Sequence, residues 1–287
     1  MAAIKLLISA SILIASYTAI TGCNNNTKKE KEVFPDSEMY NLSSPTIINL
    51  PIELDEISGI AYYEKDTSVF AIIDEDGLLY KIPIKDPSKT KKWVFDKPRD
   101  YEDIILKDSV FYVLVSNGDV ESLHFEGDSI ITSKSKFSDV SGKKLNEFEG
   151  MYLDSNRIII MCKECEEDKK AKISFYWYND SGQNYQPYKS LDVAPIAEKL
   201  DKNKIAFKPS AAAIHPLTKE LYIVSAIHKM LLIIDNKGQI KNMYTLNPKI
   251  YKQPEGIAFT PAGDLIVSNE VFLENHATLL ILKNKMK

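Results

Sequence analysis

The stretch Glu255-Gly256-Ile257-Ala258 decides the fold, because it is one of five related stretches that recur along the chain. Each begins with an acidic or small residue and runs into apolar residues. The other four are Ser58-Gly59-Ile60-Ala61, Glu102-Asp103-Ile104-Ile105, Glu149-Gly150-Met151-Tyr152 and Ser210-Ala211-Ala212-Ala213. Successive copies start 44, 47, 61 and 45 residues apart. A four-stranded propeller blade takes about 40 to 50 residues, so the repeat predicts five blades and one insertion.

Each copy is followed by a run of β-branched and aromatic residues that is typical of a strand. These runs cover residues 69–73, 110–115, 158–161, 221–224 and 265–267. Third runs follow at 78–82, 230–235 and 278–282, with turn pairs such as Asp76-Gly77 between runs. The pattern predicts an all-β protein with antiparallel sheets. The one helical pattern, at 191–200, lies in the longest interval, and we interpret it as a loop decoration.

The last blade is short of one strand. After Glu255 the chain supplies runs at 256–259, 265–267 and 278–282, and the printed sequence then stops. A β-prone segment at 44–50 precedes the first repeat and has no blade of its own. Because unpaired sheet edges are a liability, we predict that residues 46–50 complete the last blade. The predicted fold is a five-bladed β-propeller closed by an N-terminal strand.

The N-terminus has the features of an export signal. Lys5 precedes an apolar stretch at 6–20, which polar residues interrupt and which is short of the about 20 apolar residues of a membrane span. Ile20-Thr21-Gly22-Cys23 resembles a bacterial lipobox, in which the cysteine receives diacylglycerol. An ordinary secretory leader, with Cys23 a spare thiol, is the alternative. We predict a lipoprotein signal peptide at 1–22, a flexible polar tether at 23–39 and a propeller domain at 40–287.

Charge and cysteine content narrow the function classes. The net charge is −4, from 36 basic and 40 acidic residues, and no basic block follows the tether, so we expect no nucleic-acid partner. Cys162 and Cys165 form a single C-x-x-C pair. A zinc site usually needs a second pair, and an exported protein is able to oxidise its thiols. We therefore interpret Cys162 and Cys165 as a structural pair without redox function.

A metal site is predicted where the blades meet. The first strand of each propeller blade lines the central channel, so the first residues of the five copies should converge at one mouth. These residues are Ser58, Glu102, Glu149, Ser210 and Glu255. Crowded carboxylates repel unless a cation lies among them, and calcium takes six to eight oxygen ligands, so we predict calcium there. Glu56 shares the strand face of Ser58 and is a further candidate ligand.

A second polar circle should surround this column, because the second strand of each blade returns to the same mouth. Its predicted members are Asp74, Glu75, Asn117, Lys163, Glu164, Asn269 and Glu270. Lys163 offers an alternative source of positive charge. The simplest alternative for the column is turn chemistry, with solvated glutamates and glycines that allow a tight approach. We expect the four histidines, His124, His215, His228 and His276, to lie outside the channel column.

Several blocks in order resemble one family. They include L-x-E-I-S-G-I-A at 54–61, I-I-D-E-D-G at 72–77, K-P-S-A-A-A-I-H-P at 208–216 and Q-P-E-G-I-A-F at 253–259. Together they resemble the SdiA-regulated family of bacterial exported proteins, from about Tyr40 to the end. The resemblance implies a five-bladed propeller similar to NHL-repeat propellers, with a calcium site. Asp103 departs from the family pattern, which usually has glycine after this glutamate.

Three functions are compatible with these features. We favour a non-catalytic binding or scaffold module on the cell envelope, lipid-anchored on the non-cytoplasmic side, with the outer membrane as the expected membrane. Its partner would be a protein or a small molecule of unknown identity. The alternative is a metal-dependent hydrolase of the lactonase or esterase type, with calcium polarising a carbonyl and Glu56 or Glu75 as base. A phosphate-ester hydrolase ranks last, because only Lys163 and Lys208 would hold phosphate.

The lipobox leads to a direct prediction. Cys23→Ala should release the protein into the periplasm or the medium, because a single lipid modification is all that holds it to a membrane. Cell fractionation followed by immunoblotting measures the distribution. A variant that still fractionates with membranes would show that the lipobox interpretation is wrong.

Overall fold

The computed structural model describes residues 34–137, 146–271 and 276–286. These residues form five four-stranded antiparallel sheets arranged as the blades of a ring. The five-bladed β-propeller predicted from the repeat is therefore confirmed. Each repeat begins the innermost strand of one blade, and the three following strands step outward toward the rim.

The strands are numbered in chain order, and each blade is given from its inner to its outer strand. Blade 1 contains β2 (Ile57–Tyr63), β3 (Ser68–Ile73), β4 (Leu78–Pro83) and β5 (Lys91–Val94). Blade 2 contains β6 (Tyr101–Lys107), β7 (Val110–Val115), β8 (Val120–Glu126) and β9 (Ser129–Ser135). Blade 3 contains β10 (Glu147–Asp154), β11 (Arg157–Glu164), β12 (Lys172–Asn179) and β13 (Asn184–Asp192).

Blade 4 contains β14 (Ala211–Ile214), β15 (Leu221–Ser225), β16 (Met230–Ile234) and β17 (Ile240–Thr245). Blade 5 contains β18 (Pro254–Phe259), β19 (Leu265–Asn269), β20 (Thr278–Leu282) and β1 (Thr46–Asn49). The described residues contain one α-helix, α1, which spans Ala194–Lys199. Short 3-10 turns cover Ile52–Leu54, Glu64–Asp66, Pro87–Lys89 and Glu166–Asp168.

The ring closes as the strand count predicted. β1 pairs antiparallel with β20, with Thr46 opposite Ile281 and Asn49 opposite Thr278. The outer strand of the last blade thus comes from the start of the domain, and the first and last strands of the domain pair with each other. This pairing gives β20 a partner on both sides, so its edge is not left open.

Apolar layers between neighbouring blades form the core. Both faces of a middle strand are buried, as in β3, where all six residues are buried. One such layer, between blades 1 and 2, includes Phe70, Tyr101 and Phe111. Four further layers fill the other blade-to-blade interfaces around the ring. Every blade therefore depends on two neighbours for the burial of its apolar surface.

The folded domain extends upstream of the boundary expected at residue 40. Ser37 and Met39 are buried, and Tyr40 is fully buried against blades 4 and 5. The Tyr40 hydroxyl donates a hydrogen bond to the Gly263 carbonyl at 2.6 Å. The last residues assigned to the tether are thus part of the packed structure from Ser37 onward.

The helix in the longest interval is shorter than the pattern at 191–200 indicated. The first two residues of that pattern end β13, and α1 begins at Ala194. Ile196 is completely buried in the apolar layer between blades 3 and 4, together with Phe207. The segment therefore packs into the core and does not merely decorate a loop, while the ring continues past it unbroken.

The signal peptide and Cys23 lie outside the described residues. Within the described ranges, no helix is both long enough and apolar enough to cross a membrane.

Ring closure by β1 has a measurable consequence. Deleting residues 40–50 removes the outer strand of blade 5 and exposes the edge of β20, so we expect the free energy of unfolding to fall by more than about 4 kcal/mol, beyond ordinary single substitutions. Chemical denaturation measures the loss. Deleting residues 24–31 is the matched control and should leave stability unchanged. Similar stabilities for the two deletions would contradict the closure role of β1.

Candidate functional site

The inner strands are irregular at the repeat. In blades 2, 3 and 5 the pairing register of the inner strand shifts at Glu102, Glu149 and Glu255. In blade 1 the register shifts between Ile57 and Ile60. Such a bulge leaves a residue outside the ladder and redirects its side chain. The residues at these shifts are Ser58, Glu102, Glu149 and Glu255. The repeat is therefore a bulge motif that points polar side chains into the channel.

The residue after the bulge of blade 1 must leave room for blade 2. A Cβ at Gly59 would lie 2.4 Å from Asp103 Oδ1 and 2.5 Å from Asp103 Cα, so blade 1 needs a glycine there. Asp103 stands at the equivalent position of blade 2 and is fully buried. Its carboxylate accepts the N–H of Ile104 at 2.8 Å and that of Met151 at 2.7 Å. The departure from the family pattern thus supplies a hydrogen-bonded link from blade 2 to blade 3.

The redirected side chains open into a cavity of about 490 Å³ at one end of the channel. We call it the acidic mouth, because seven carboxyl groups and one amine line it. The lining residues are Ser58, Asp74, Asp100, Glu102, Ser116, Asn117, Asn146, Glu147, Glu149, Lys163, Glu255 and Glu270. One lysine is too little positive charge to balance so many acids.

Lys163 is the cation of the mouth. Its Nζ lies 2.8 Å from Glu149 Oε2, and both side chains are largely buried. The charges of Glu149 and then of Glu102 raise the pKa of Lys163, against the effect of its burial, so it stays protonated. Burial raises the pKa of Glu149, while Lys163 opposes this rise. The ammonium group therefore stabilises one carboxylate directly and others at longer range.

The other two glutamates of the repeat, Glu102 and Glu255, have strongly raised pKa values. Burial and the charge of Glu149 raise the pKa of Glu102 to about 9. The same two causes raise the pKa of Glu255 to about 8, although a hydrogen bond from the Ser210 hydroxyl opposes the rise. Ser210 Oγ also accepts the N–H of Ala226 at 3.2 Å. Without a further cation, the mouth suppresses its own negative charge by keeping carboxyls protonated.

Two carboxyls on the rim share a hydrogen bond. Burial, followed by the hydrogen bond and charge of Asp100, raises the pKa of Asp74 to about 7. The pKa of Glu270 is also raised, by burial and by the charge of Glu56, although Gln253 donates a hydrogen bond to Glu270 at 2.8 Å. Asp74 is thus a carboxyl that changes protonation near neutral pH.

The donor set suits a hard cation, but the carboxylates stand apart. Carboxylate and hydroxyl oxygens are the ligands that calcium prefers. Among the described residues, however, no three carboxyl groups of the mouth each bring an oxygen within 4.8 Å of the others. Calcium ligands lie 2.3–2.6 Å from the ion. A calcium ion would therefore keep water molecules as part of its ligands, or draw Glu102, Glu149 and Glu255 inward.

The structure places the predicted residues unevenly. Ser58, Glu102, Glu149 and Glu255 line the mouth, as do Asp74, Asn117, Lys163 and Glu270. Ser210 is buried behind Glu255 and contributes through its hydrogen bond. The following predicted residues are not in the lining: Glu56, Glu75, Glu164 and Asn269. Glu56 and Glu75 are exposed, Glu164 pairs with Lys208, and Asn269 is buried with its amide donating to the Ile250 carbonyl at 2.9 Å.

Two lining acids were missed, although a signal for them exists. Asp100 and Glu147 lie two residues before Glu102 and Glu149, at the spacing that also relates Glu56 to Ser58. The same two-residue period would have selected all three positions. Of these three residues, Asp100 and Glu147 line the mouth, whereas Glu56 is exposed and outside the lining.

A disulfide stands behind Glu149. Cys162 and Cys165 are bonded, and both are buried. Phe148, next to Glu149, pairs with Cys162 across β10 and β11. Lys163 lies inside this four-residue loop, so the disulfide helps to hold the cation of the mouth in place.

None of the four histidines lines the acidic mouth. His215 is completely buried, and its Nδ1 accepts the N–H groups of Leu217 and Thr218 at 3.2 and 3.1 Å. His228 hydrogen bonds with Ser225 and stacks on Phe207. Neither has the position of a general base for chemistry in the mouth.

Comparisons with known proteins agree with this architecture. A family model described as SdiA-regulated matches residues 46–273. No curated protein matches the chain. Glutaminyl cyclase from Myxococcus xanthus is similar in structure, with a TM-score of 0.57 and 11% identity over 83% of this chain and 95% of that chain. Virginiamycin B lyase from Staphylococcus aureus gives a TM-score of 0.44 and 12% identity over 82% and 73%. At such identities only the fold is shared.

The raised pKa values predict an unusual pH dependence. The pKa of Glu102 is about 9 and that of Glu255 about 8 in the folded protein. An unfolded glutamate has a pKa of about 4.3, so between these values the folded state binds more protons. The free energy of unfolding of the metal-free protein should therefore fall as the pH rises through this window. Stability from these groups is greatest at acid pH.

Thermal unfolding in a chelator, at about pH 5.5 and about pH 8, measures this change. Glu102→Gln should reduce the loss of melting temperature between the two pH values, because it removes one titrating carboxyl. Glu75→Gln is the matched control, since Glu75 is exposed and outside the lining. The same loss in Glu102→Gln as in the parent protein would contradict the burial argument.

Proposed function

We propose that this chain, which belongs to the SdiA-regulated family, is a calcium-binding propeller module that holds a ligand or partner at the cell envelope. One observation carries the proposal: bulges in four inner strands turn three glutamates and a serine into one mouth. The strand pairing is interrupted at each bulge, and the result is a concentration of carboxyl groups in the mouth. A bound cation gives this arrangement a purpose.

Calcium fits the mouth better than the alternatives. The lining offers oxygen donors throughout, with no histidine or cysteine side chain among them. Zinc and other softer metals prefer nitrogen and sulfur ligands, and magnesium demands a tight octahedron. Calcium tolerates six to eight ligands of mixed type, including water, and this tolerance suits carboxyls that stand apart.

Lys163 would compete with the metal. Its ammonium group pairs with Glu149 and lowers the pKa of Glu102 and Glu255. A divalent ion supplies more charge than a lysine and would release the protons held on Glu102 and Glu255. Calcium binding would therefore displace Lys163 from Glu149. Because binding also releases protons, the calcium affinity should rise with pH.

The envelope part of the proposal rests on Cys23 and on where the chain enters the ring. Tyr40 packs at Gly263, in the turn after β18, whereas Glu255 lies at the other end of that strand. The chain thus joins the ring at the end opposite the acidic mouth. A lipid on Cys23 would tether the ring through the chain that enters at this end.

A metal-dependent hydrolase is the second candidate, and one observation favours it. Asp74 has a pKa of about 7, lines the mouth and hydrogen bonds with Asp100. A general acid or base works best when its pKa is near the working pH. In this alternative calcium would polarise a carbonyl, and Asp74, rather than Glu56 or Glu75, would move the proton.

Calcium binding leads to a thermal test. Calcium should raise the melting temperature of the parent protein. When free calcium is about 100 times Kd, the free energy of unfolding should rise by about 2.7 kcal/mol. Glu149→Gln should lose most of this gain, measured against its own melting temperature in chelator, because the substitution also leaves the largely buried Lys163 without its ion-pair partner. Lys163→Met should bind calcium more tightly, because the competing ammonium is gone. Isothermal titration calorimetry gives the affinities.

Glu164→Gln is the matched control, since Glu164 neighbours Lys163 in sequence but pairs with Lys208. Equal melting of the parent with calcium and with chelator would remove the metal proposal. To distinguish a binding module from a hydrolase, the calcium-loaded protein is assayed with chromogenic esters and lactones. Turnover abolished by Asp74→Asn would favour the hydrolase.

A further inference from the structure

A second cavity lies at the other end of the ring. It has a volume of about 1010 Å³ and shares no lining residue with the acidic mouth in the described part of the chain. The ends of four inner strands reach it, through Tyr63 of β2, Leu106 of β6, Ile214 of β14 and Phe259 of β18. Its size is at the upper end of the range for small-molecule sites, about 300 to 1,000 Å³.

Aromatic rings from blades 1 and 2 form its main wall. Tyr63 and Phe70 meet edge to face at 5.3 Å, Phe70 and Phe111 lie 4.4 Å apart, and Phe111 and Phe125 meet edge to face at 6.3 Å. Each ring braces the next, so the wall exists before any ligand arrives. Phe70 and Phe111 are nearly fully buried, whereas Tyr63 and Phe125 are only half-buried. The wall therefore presents aromatic surface to the cavity from a rigid base.

Charged groups of both signs lie in this cavity or beside it, so neither a cationic nor an anionic ligand would meet a surface of uniformly opposite charge. Lys65 and Lys81 place their ammonium groups 5.8 and 5.0 Å from the Tyr63 ring centre, so that ring already has cations over it. Glu64 and Asp108 also line the cavity and would repel an anion. Burying a charge without a dedicated partner is costly. The cavity thus favours an uncharged ligand.

Two hydroxyls are available to orient such a ligand. Tyr62 and Tyr63 line the cavity, and within the described ranges neither hydroxyl makes a hydrogen bond to another residue. Small-molecule sites typically combine apolar walls with a few polar groups that fix orientation. Ala213, Pro216 and Pro261 add apolar surface to the lining.

We infer that this cavity is a binding site for an uncharged, planar, apolar small molecule with one or two hydrogen-bonding groups. The molecule lies against the aromatic wall, and the hydroxyls of Tyr62 and Tyr63 contact its polar groups. The site is independent of calcium, because the acidic mouth lies at the other end of the channel. The protein thus has two sites of opposite chemistry, one charged and one apolar.

Nile red, an uncharged planar dye, is the probe, and its fluorescence is titrated with the purified protein. We expect saturable binding of one dye per chain. Ala213→Phe fills the cavity and Phe125→Ser removes part of its wall, and each should weaken binding at least about tenfold, or about 1.4 kcal/mol. Two variants are used so that one misfolded protein does not decide the result. Circular dichroism and the melting temperature verify the fold of each.

Val94→Ser is the matched control, because Val94 is 71% exposed on outer strand β5 and does not line the cavity. It should bind the dye like the parent, as should Glu102→Gln. The anionic dye 1-anilinonaphthalene-8-sulfonate should bind at least about tenfold more weakly than Nile red. Non-saturable binding, unchanged affinity in the folded variants, equal loss in Val94→Ser, or tighter binding of the anionic dye would each overturn the proposal.

Discussion

The pairing of β1 with β20 is the contact on which the rest of the structure depends. A propeller buries its apolar surface between blades, so each blade is stable only while both neighbours are in place. The ring has no free end once Thr46 to Asn49 lie beside Thr278 to Ile281. Closure at five blades also sets how near the inner strands come to the axis. The two ends of the channel take their form from this one constraint.

The bulge at the repeat is the local backbone feature that turns polar side chains from the inner strands into the mouth. A regular inner strand would send alternate side chains toward the neighbouring blades, where a glutamate would be buried in an apolar layer. The register shifts at Glu102, Glu149 and Glu255 turn these side chains into the mouth instead. Burial and the neighbouring charges then raise their pKa values, and Lys163 pairs with Glu149, so the electrostatics follow from the backbone.

The ring separates two kinds of chemistry along its axis. The acidic mouth lies where the inner strands begin, and the aromatic cavity lies where they end. Between them the channel is lined by apolar residues such as Ile60, Ile104, Met151 and Ile257. Water and ions gain little from entering such a passage. Each end can therefore act without the other, although β2 carries residues of both.

Much of the fold was determined by the sequence alone. The spacing of the five repeats specified the number of blades, and the unpaired β-prone segment near Thr46 specified the closure, because strand periodicity and edge pairing are local rules. The repeat also identified the residues that reach the mouth in blades 1, 2, 3 and 5. Asp100 and Glu147 were within reach of the same rule but were not selected.

Only the tertiary structure decided which of these residues act together. The ion pair of Lys163 with Glu149, the hydrogen bond of Asp74 with Asp100, and the position of Glu56 outside the lining depend on distances between blades, which no local pattern contains. The aromatic cavity is a clearer case, since Tyr63, Phe111, Phe125 and Phe259 come from three blades. In the sequence they are ordinary strand residues, and they become a site because ring closure brings the blades together.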